Sequence, residues 1–138
     1  MTEVVLGSTE IKVNKNGFGA LPIQRISHED AGELLKMAYN AGINFFDTAN
    51  GYSEGTSEEY LGRALKESVA RDKVVIASKV YFNPGRLSRE AIMREIDGSL
   101  KRLGTDYLDL YIIHRFDYET PVEETMEALH DLVKAGKV

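Results

Sequence analysis

Cysteine is absent from the 138 residues, so the chain has no disulfide framework and no thiolate chemistry. The formal net charge is −5 and no basic cluster interrupts it, which argues against a nucleic-acid footprint. No apolar run approaches the roughly 20 residues that a membrane span needs. The opening Met1-Thr2-Glu3 lacks the basic-then-apolar layout of a secretory signal. A cytoplasmic protein is the expectation. A Gly-x-Gly-x-x-Gly fingerprint is missing too, since Gly17-Phe18-Gly19 is only a fragment of one. What remains is an ordinary globular composition, 43% hydrophobic and 28% charged. The length suits a single domain over residues 1–138, and no linker or low-complexity segment divides it.

The centre of the chain is the stretch Gly42-Ile43-Asn44-Phe45-Phe46-Asp47-Thr48-Ala49-Asn50-Gly51-Tyr52. A short apolar run ends in a carboxylate, and a tyrosine follows five residues later. Two further apolar runs end in an ionisable residue. Val74 to Ser78 leads to Lys79, and Leu108 to Ile113 leads to His114. Three such strands in succession suggest charged groups gathered at one end of a parallel sheet, the usual place of an active site in an α/β barrel.

The remaining pattern supports that layout. Val4-Val5-Leu6 and Ile11-Lys12-Val13 flank a turn and read as a hairpin. Gly17 to Leu21 is a short strand stopped by Pro22. A first helix is predicted from Ser27 as N-cap, with Ala31, Leu34, Leu35, Ala38 and Ala41 facing inward and Gly42 as the stop. A second begins near Thr56, with Glu59 completing a capping box and Leu61, Ala64, Leu65 and Val69 on one side. Asn83-Pro84-Gly85 marks a turn. Ser88 caps a third helix, with Ile92, Ile96, Leu100 and Leu103 inward and Gly104 after it. Thr120-Pro121-Val122-Glu123 reads as a cap, a first-turn proline and a box-closing glutamate. The stripe behind it is Met126, Leu129, Leu132 and Val133.

Strand ends at Ala20, Asp47, Lys79 and His114 are spaced by 27, 32 and 35 residues, one βα unit each. Strands without polar alternation imply a parallel sheet with helices outside. A doubly wound open sheet and part of a barrel both fit. A full barrel needs about 250 residues, so four units read as the first half of one. The flavodoxin-like alternative lacks a phosphate-cradling loop, because Leu21-Pro22-Ile23-Gln24 offers no glycine run.

If Asp47, Tyr52, Lys79 and His114 converge, they make a recognisable chemistry. A phenol ionises near pH 10 when unperturbed, too high for easy acid–base work at neutral pH. A neighbouring ammonium stabilises phenolate, and a carboxylate keeps that ammonium charged. An imidazole can donate a hydrogen bond to a substrate oxygen. Such a site protonates an oxygen while a carbonyl carbon accepts hydride, and the hydride must come from a cofactor. Each residue alone has a plainer explanation, as packing residue, turn cap or surface group. Their order and placement together point to the site. No metal is expected.

These residues carry a resemblance to the aldo-keto reductase family, in its microbial and potassium-channel-β-like branches. Phe45 to Tyr52 resembles the family's strand-two signature, Val75 to Lys79 its strand-three lysine segment, and Ser99 to His114 its strand-four segment. Thr120 to Leu129 is similar to the same branches. The resemblance implies the first four βα units of a TIM barrel preceded by a β-hairpin that closes the barrel bottom. It implies an oxidoreductase that uses NADPH to reduce aldehydes and ketones. Tyr52 would be the general acid, Lys79 and Asp47 would tune it, and His114 would orient the carbonyl. Gly19, Ala20, Leu21 and Asp47 would lie at the nicotinamide end of the cofactor. Tyr81 and Phe82 would shape the substrate pocket. The family's other cofactor segments follow strand five, outside these residues.

Two other function classes stand beside this one. A regulatory module like the potassium-channel β subunits would use the same fold without catalysis, although His114 speaks against it. A non-catalytic half-barrel would keep the tetrad as a vestige. Four strands also leave two open edges and an uncovered inner face. Self-association or a second-half partner is therefore expected.

Overall fold

The computed structural model describes residues 2–138. Strands β1 (Glu3–Val5) and β2 (Lys12–Asn14) form the expected antiparallel hairpin, with Val4 opposite Val13. Strands β3 (Phe18–Gly19), β4 (Phe45–Asp47), β5 (Val75–Val80) and β6 (Leu110–Ile113) form one parallel sheet in the order β3-β4-β5-β6. Helices α1 (His28–Asn40), α2 (Thr56–Ser68) and α3 (Arg89–Leu103) connect them, and α4 (Val122–Lys134) follows β6.

Strand order equal to chain order decides between the two architectures. Parallel crossovers are right-handed almost without exception. Stepping one strand in the same direction each time therefore puts every helix on the same face. Accordingly α1 packs on α2, α2 on α3 and α3 on α4. This is an open arc of a TIM barrel, with β3 and β6 as its edges. The hairpin docks at the start of β4. Asn14 Nδ2 donates to Gly42 O at 3.0 Å, and Asn44 Nδ2 donates to Lys12 O at 3.1 Å.

The core lies between sheet and helices. Leu35, Phe46, Leu61, Ile76, Ile92, Ile96 and Leu132 are buried there to 2% exposure or less. Burying one such side chain stabilises the fold by about 1.5–3 kcal/mol. Helices α2 and α3 approach so closely that a Cβ at Gly62 would overlap the Leu103 carbonyl. The middle helices bury their predicted stripes, apart from the half-buried Val69 at the end of α2. The outer two do not. Leu34 of α1 and Ala41 just after it are exposed, and so are Met126 and Val133 of α4. The periodicity identified apolar faces wide enough for two neighbours, but α1 and α4 each have a helix on one side only. The same reason leaves β6 half-buried throughout while β5 is buried at five of six positions.

Two predicted caps form and two do not. Ser27 Oγ accepts from the Asp30 N–H at 3.0 Å, and Ser88 Oγ from the Ala91 N–H at 3.2 Å. Gly104 takes the left-handed conformation (φ 68°) that ends α3. Helix α2, by contrast, starts from Gly55 at φ 94° without a side-chain cap, with Thr56 already helical. Helix α4 starts from Pro121 without a side-chain cap. The Thr120 hydroxyl, whose oxygen would accept from a backbone N–H in a cap, is turned to Asp117 and donates to it at 2.7 Å.

Asp117 is buried and also accepts from the N–H groups of Glu119 (2.9 Å) and Leu87 (3.2 Å). The Thr120 hydroxyl and then these amides hold its carboxyl below the usual carboxylate range. The ionised form thus favours folding. That stability is present above the unfolded value near pH 4 and lost as pH falls through the lower folded value. Asp117→Asn is expected to melt below the wild type at pH 7, and the gap should close below about pH 4. Thermal unfolding across pH measures it, and a gap independent of pH would remove the charge as its cause.

Candidate active site

Asp47 ends β4, Lys79 sits one residue from the end of β5, and His114 follows β6 directly. Side chains alternate along a strand. The register pairs Gly19 with Asp47, Asp47 with Ala77, and Lys79 with Ile112. Gly19, Asp47, Lys79 and His114 therefore share the face away from the helices, at the C-terminal end of the sheet.

Tyr52 reaches them through a sharp reversal. After Asn50 and Gly51 the chain enters a 3-10 turn at Tyr52–Gly55. Ser53 (φ 50°), Glu54 (φ 55°) and Gly55 (φ 94°) all lie in the left-handed region. For the two non-glycine residues this costs on the order of 1–3 kcal/mol each. Gln24 Nε2 donates to Ser53 Oγ at 2.5 Å and helps hold the turn.

Lys79 Nζ is the hub. It donates to Asp47 Oδ2 at 2.9 Å, Thr48 O at 2.8 Å and Tyr52 Oη at 3.1 Å. An ammonium has three protons and no acceptor, so all three are committed. The Tyr52 oxygen accepts from Lys79, which leaves its own O–H available to a third group. The Lys79 side chain is only 11% exposed, so the Asp47 carboxylate beside it is the charge that compensates the ammonium.

His114 stands edge-on to Tyr52, with ring centroids 5.6 Å apart. Burial, and next the Lys79 ammonium, hold its imidazole below the ordinary histidine range, while Asp47 opposes them. The ring is neutral at pH 7 and can donate one hydrogen bond. Its Nδ1 is buried without a partner. Phe82 is also edge-on to His114, at 5.0 Å, and to the half-buried Tyr81, at 5.1 Å. The two predicted pocket residues thus border the predicted catalytic ones.

The strand-one residues divide. Gly19 is exposed beside Asp47, and nothing lies within 4 Å of where its Cβ would be. Leu21 is 51% exposed. Ala20 is fully buried, its N–H donating to Asp47 O at 2.8 Å and its carbonyl accepting from Ser57. Ala20 supports the site from below and presents no surface to a ligand.

Sequence reasoning passed over several neighbours. Asn50 Nδ2 donates to Asn83 Oδ1 (2.9 Å) and Glu95 Oε1 (3.0 Å), joining the loops after β4 and β5. The Arg115 guanidinium lies 5.1 Å from the centre of the Phe82 ring. Ser57 and Glu58, polar residues on the inward face of α2 near Leu61 and Leu65, are fully buried. A charge set on an apolar stripe was their signal. A cavity of about 260 Å³ lies away from the site, between α2 and α3, lined by Leu65, Val74 and Thr105 among others. Its arginine, Arg71, is committed to Thr105, Asp109 and two carbonyls. Among the described residues, no group of three histidines or acids could hold a metal ion, and no helix is long and apolar enough to cross a membrane.

Comparison with known proteins bears on the family and the fold. The model of the Aldo/keto reductase family matches residues 6–138. An aldo-keto reductase of Fusarium vanettenii is 39% identical over 96% of the chain and 46% of its own length. A probable voltage-gated potassium channel subunit beta of Oryza sativa subsp. japonica is 36% identical over 95% of the chain and 42% of its own. A thermostable aldo-keto reductase solved with the inhibitor epalrestat superposes with a TM-score of 0.91 at 37% identity, covering 99% of the chain and 51% of that structure. The chain spans about half the length of the relatives it matches.

Proposed function

The chain belongs to the aldo/keto reductase family, and on that premise we propose that it carries the catalytic half of an NADPH-dependent oxidoreductase reducing aldehydes and ketones to alcohols. The observation that carries this reading is Lys79 Nζ, held at once by Asp47 at 2.9 Å and Tyr52 at 3.1 Å, with His114 beside them.

A carbonyl oxygen placed between Tyr52 and His114 receives the phenolic proton from Tyr52 Oη. The Lys79 ammonium already touches that oxygen and stabilises the phenolate left behind. The Asp47 carboxylate, 2.9 Å from Lys79 Nζ, is the counter-charge to the ammonium in its partly buried position. Neutral His114 donates to the carbonyl oxygen and fixes its direction. The hydride comes from the reduced cofactor when bound, because no side chain supplies one. Proton donation of this kind contributes on the order of 10²–10⁴ in rate.

Open space over Gly19, beside Asp47, fits a flat ring approaching the backbone. Gly19, Leu21 and Asp47 would hold the nicotinamide end there. Tyr81 and Phe82 would border a small carbonyl substrate. The open sheet edges and the exposed stripes of α1 and α4 would be covered by the remaining barrel units or by a second copy.

The test is an NADPH titration of the intact protein that carries this chain, read by cofactor fluorescence, followed by NADPH oxidation with a panel of aldehydes and ketones. Saturable binding with carbonyl-dependent oxidation is expected. Folded protein that binds NADPH without turnover would favour the regulatory reading, and the absence of both binding and turnover would overturn the proposal.

A further inference from the structure

Three of the four strand ends of the site, those of β3, β4 and β5, are held from behind by two consecutive residues of α2. Ser57 Oγ donates to Ala20 O, at the end of β3, at 2.6 Å. That bond takes the only proton of its hydroxyl. In the 3.0 Å contact between Ser57 Oγ and Thr48 Oγ1, Thr48 must therefore be the donor. The carbonyl of this same Thr48 accepts from Lys79 Nζ. Glu58 Oε1 accepts from the hydroxyl of Ser78, the residue before Lys79, at 2.6 Å. Glu58 Oε2 accepts from Arg102 Nε of α3 at 2.6 Å. Ser57, Glu58, Thr48 and Ser78 all have 0% exposure.

The segment carrying Tyr52 joins the same turn of helix. It leaves β4 at Thr48 and enters α2 at Thr56, passing through the left-handed residues Ser53, Glu54 and Gly55. A turn in that conformation persists only where its surroundings fix it. Its ends are fixed at Thr48 and Ser57, nine residues apart in sequence and hydrogen-bonded to each other.

We infer that Ser57 and Glu58 are positioning residues: the first turn of α2 clamps the ends of β3, β4 and β5 and so sets the distance between Tyr52 Oη and Lys79 Nζ. Neither side chain touches the reacting atoms. The clamp acts through Thr48, whose carbonyl orients the ammonium, and through Ser78, which fixes the backbone that carries Lys79. This inference rests on the reading of Tyr52 as proton donor.

The test uses Ser57→Ala in the intact protein, with Leu132→Ala, a core truncation in α4, as a control that lowers stability elsewhere. Steady-state kinetics at saturating NADPH should show kcat for carbonyl reduction at least tenfold lower in Ser57→Ala, with the KM for substrate changed less than threefold and the pH profile displaced. Leu132→Ala should keep its kcat. Thr48→Val removes one hydrogen bond without changing shape, and provides the reading if Ser57→Ala does not fold. It should lower kcat in the same sense, and Thr48→Ser should recover most of it. A kcat within twofold of wild type in Ser57→Ala or Thr48→Val, or an equal loss in Leu132→Ala, overturns the clamp. If the wild type reduces no carbonyl, the proposed function fails, and a crystal structure of the variant still decides the clamp. Wild-type spacings of 2.9 and 3.1 Å at Lys79 Nζ would overturn it; a Tyr52 contact beyond hydrogen-bond reach would uphold it.

Discussion

Tyr52→Phe is expected to lower kcat for carbonyl reduction by about 10²–10⁴-fold, the usual contribution of a positioned proton donor. The substitution is clean because the ring has packing roles of its own. Lys79 Nζ lies 4.7 Å from the ring centre and His114 makes a T-shaped contact with the ring, and phenylalanine keeps both contacts. What disappears is Oη, one of three acceptors around the ammonium. Lys79 retains Asp47 and the Thr48 carbonyl, so the ion pair stays in place. NADPH affinity, read by fluorescence titration, should change little, because Asp47 keeps its bond to Lys79 and none of the proposed nicotinamide contacts, Gly19, Leu21 and Asp47, is bonded to Tyr52 Oη. A variant within tenfold of the wild-type kcat would remove Tyr52 from the role.

The second large effect concerns stability. Glu58 is fully buried, and Arg102, 26% exposed along its side chain, is the cation that compensates it. Removing one partner of such a pair leaves an uncompensated charge and costs about 3–5 kcal/mol. Arg102→Met should therefore lower the urea midpoint by that equivalent, measured by circular dichroism. Adding Glu58→Gln should restore much of it, because glutamine still accepts from Ser78 and carries no charge. The double-mutant cycle isolates the coupling. A loss below about 1 kcal/mol in Arg102→Met would show that water reaches Glu58 and screens it, as at exposed pairs.

Much of this molecule is legible from local rules. Hydrophobic period, caps at Ser27 and Ser88 and the stop at Gly104 are properties of a few neighbouring residues, so they survive into the fold. The parallel order followed from four apolar runs separated by helical segments. Asp47, Tyr52, Lys79 and His114 could be singled out because strand ends in a barrel face one way, and the structure brings all four together. The capping boxes at Thr56 and Thr120 failed for a reason outside their own segments. Gly55 turned the chain a residue early, and Asp117 drew the Thr120 hydroxyl away.

By itself, then, the sequence determined the element order, the buried stripes of α2 and α3, and the chemical types at the strand ends. Only the tertiary structure decided that Lys79 would divide its protons among Asp47, Thr48 and Tyr52, and that Ala20 would lie beneath the surface. It alone decided that Leu34, Met126 and Val133 would face outward, and that Ser57 and Glu58 would reach three strands at once. The physical reason is range. Propensity and periodicity act over a few residues along one segment, whereas hydrogen bonds between side chains 20 to 44 positions apart exist only after the sheet has set their distances.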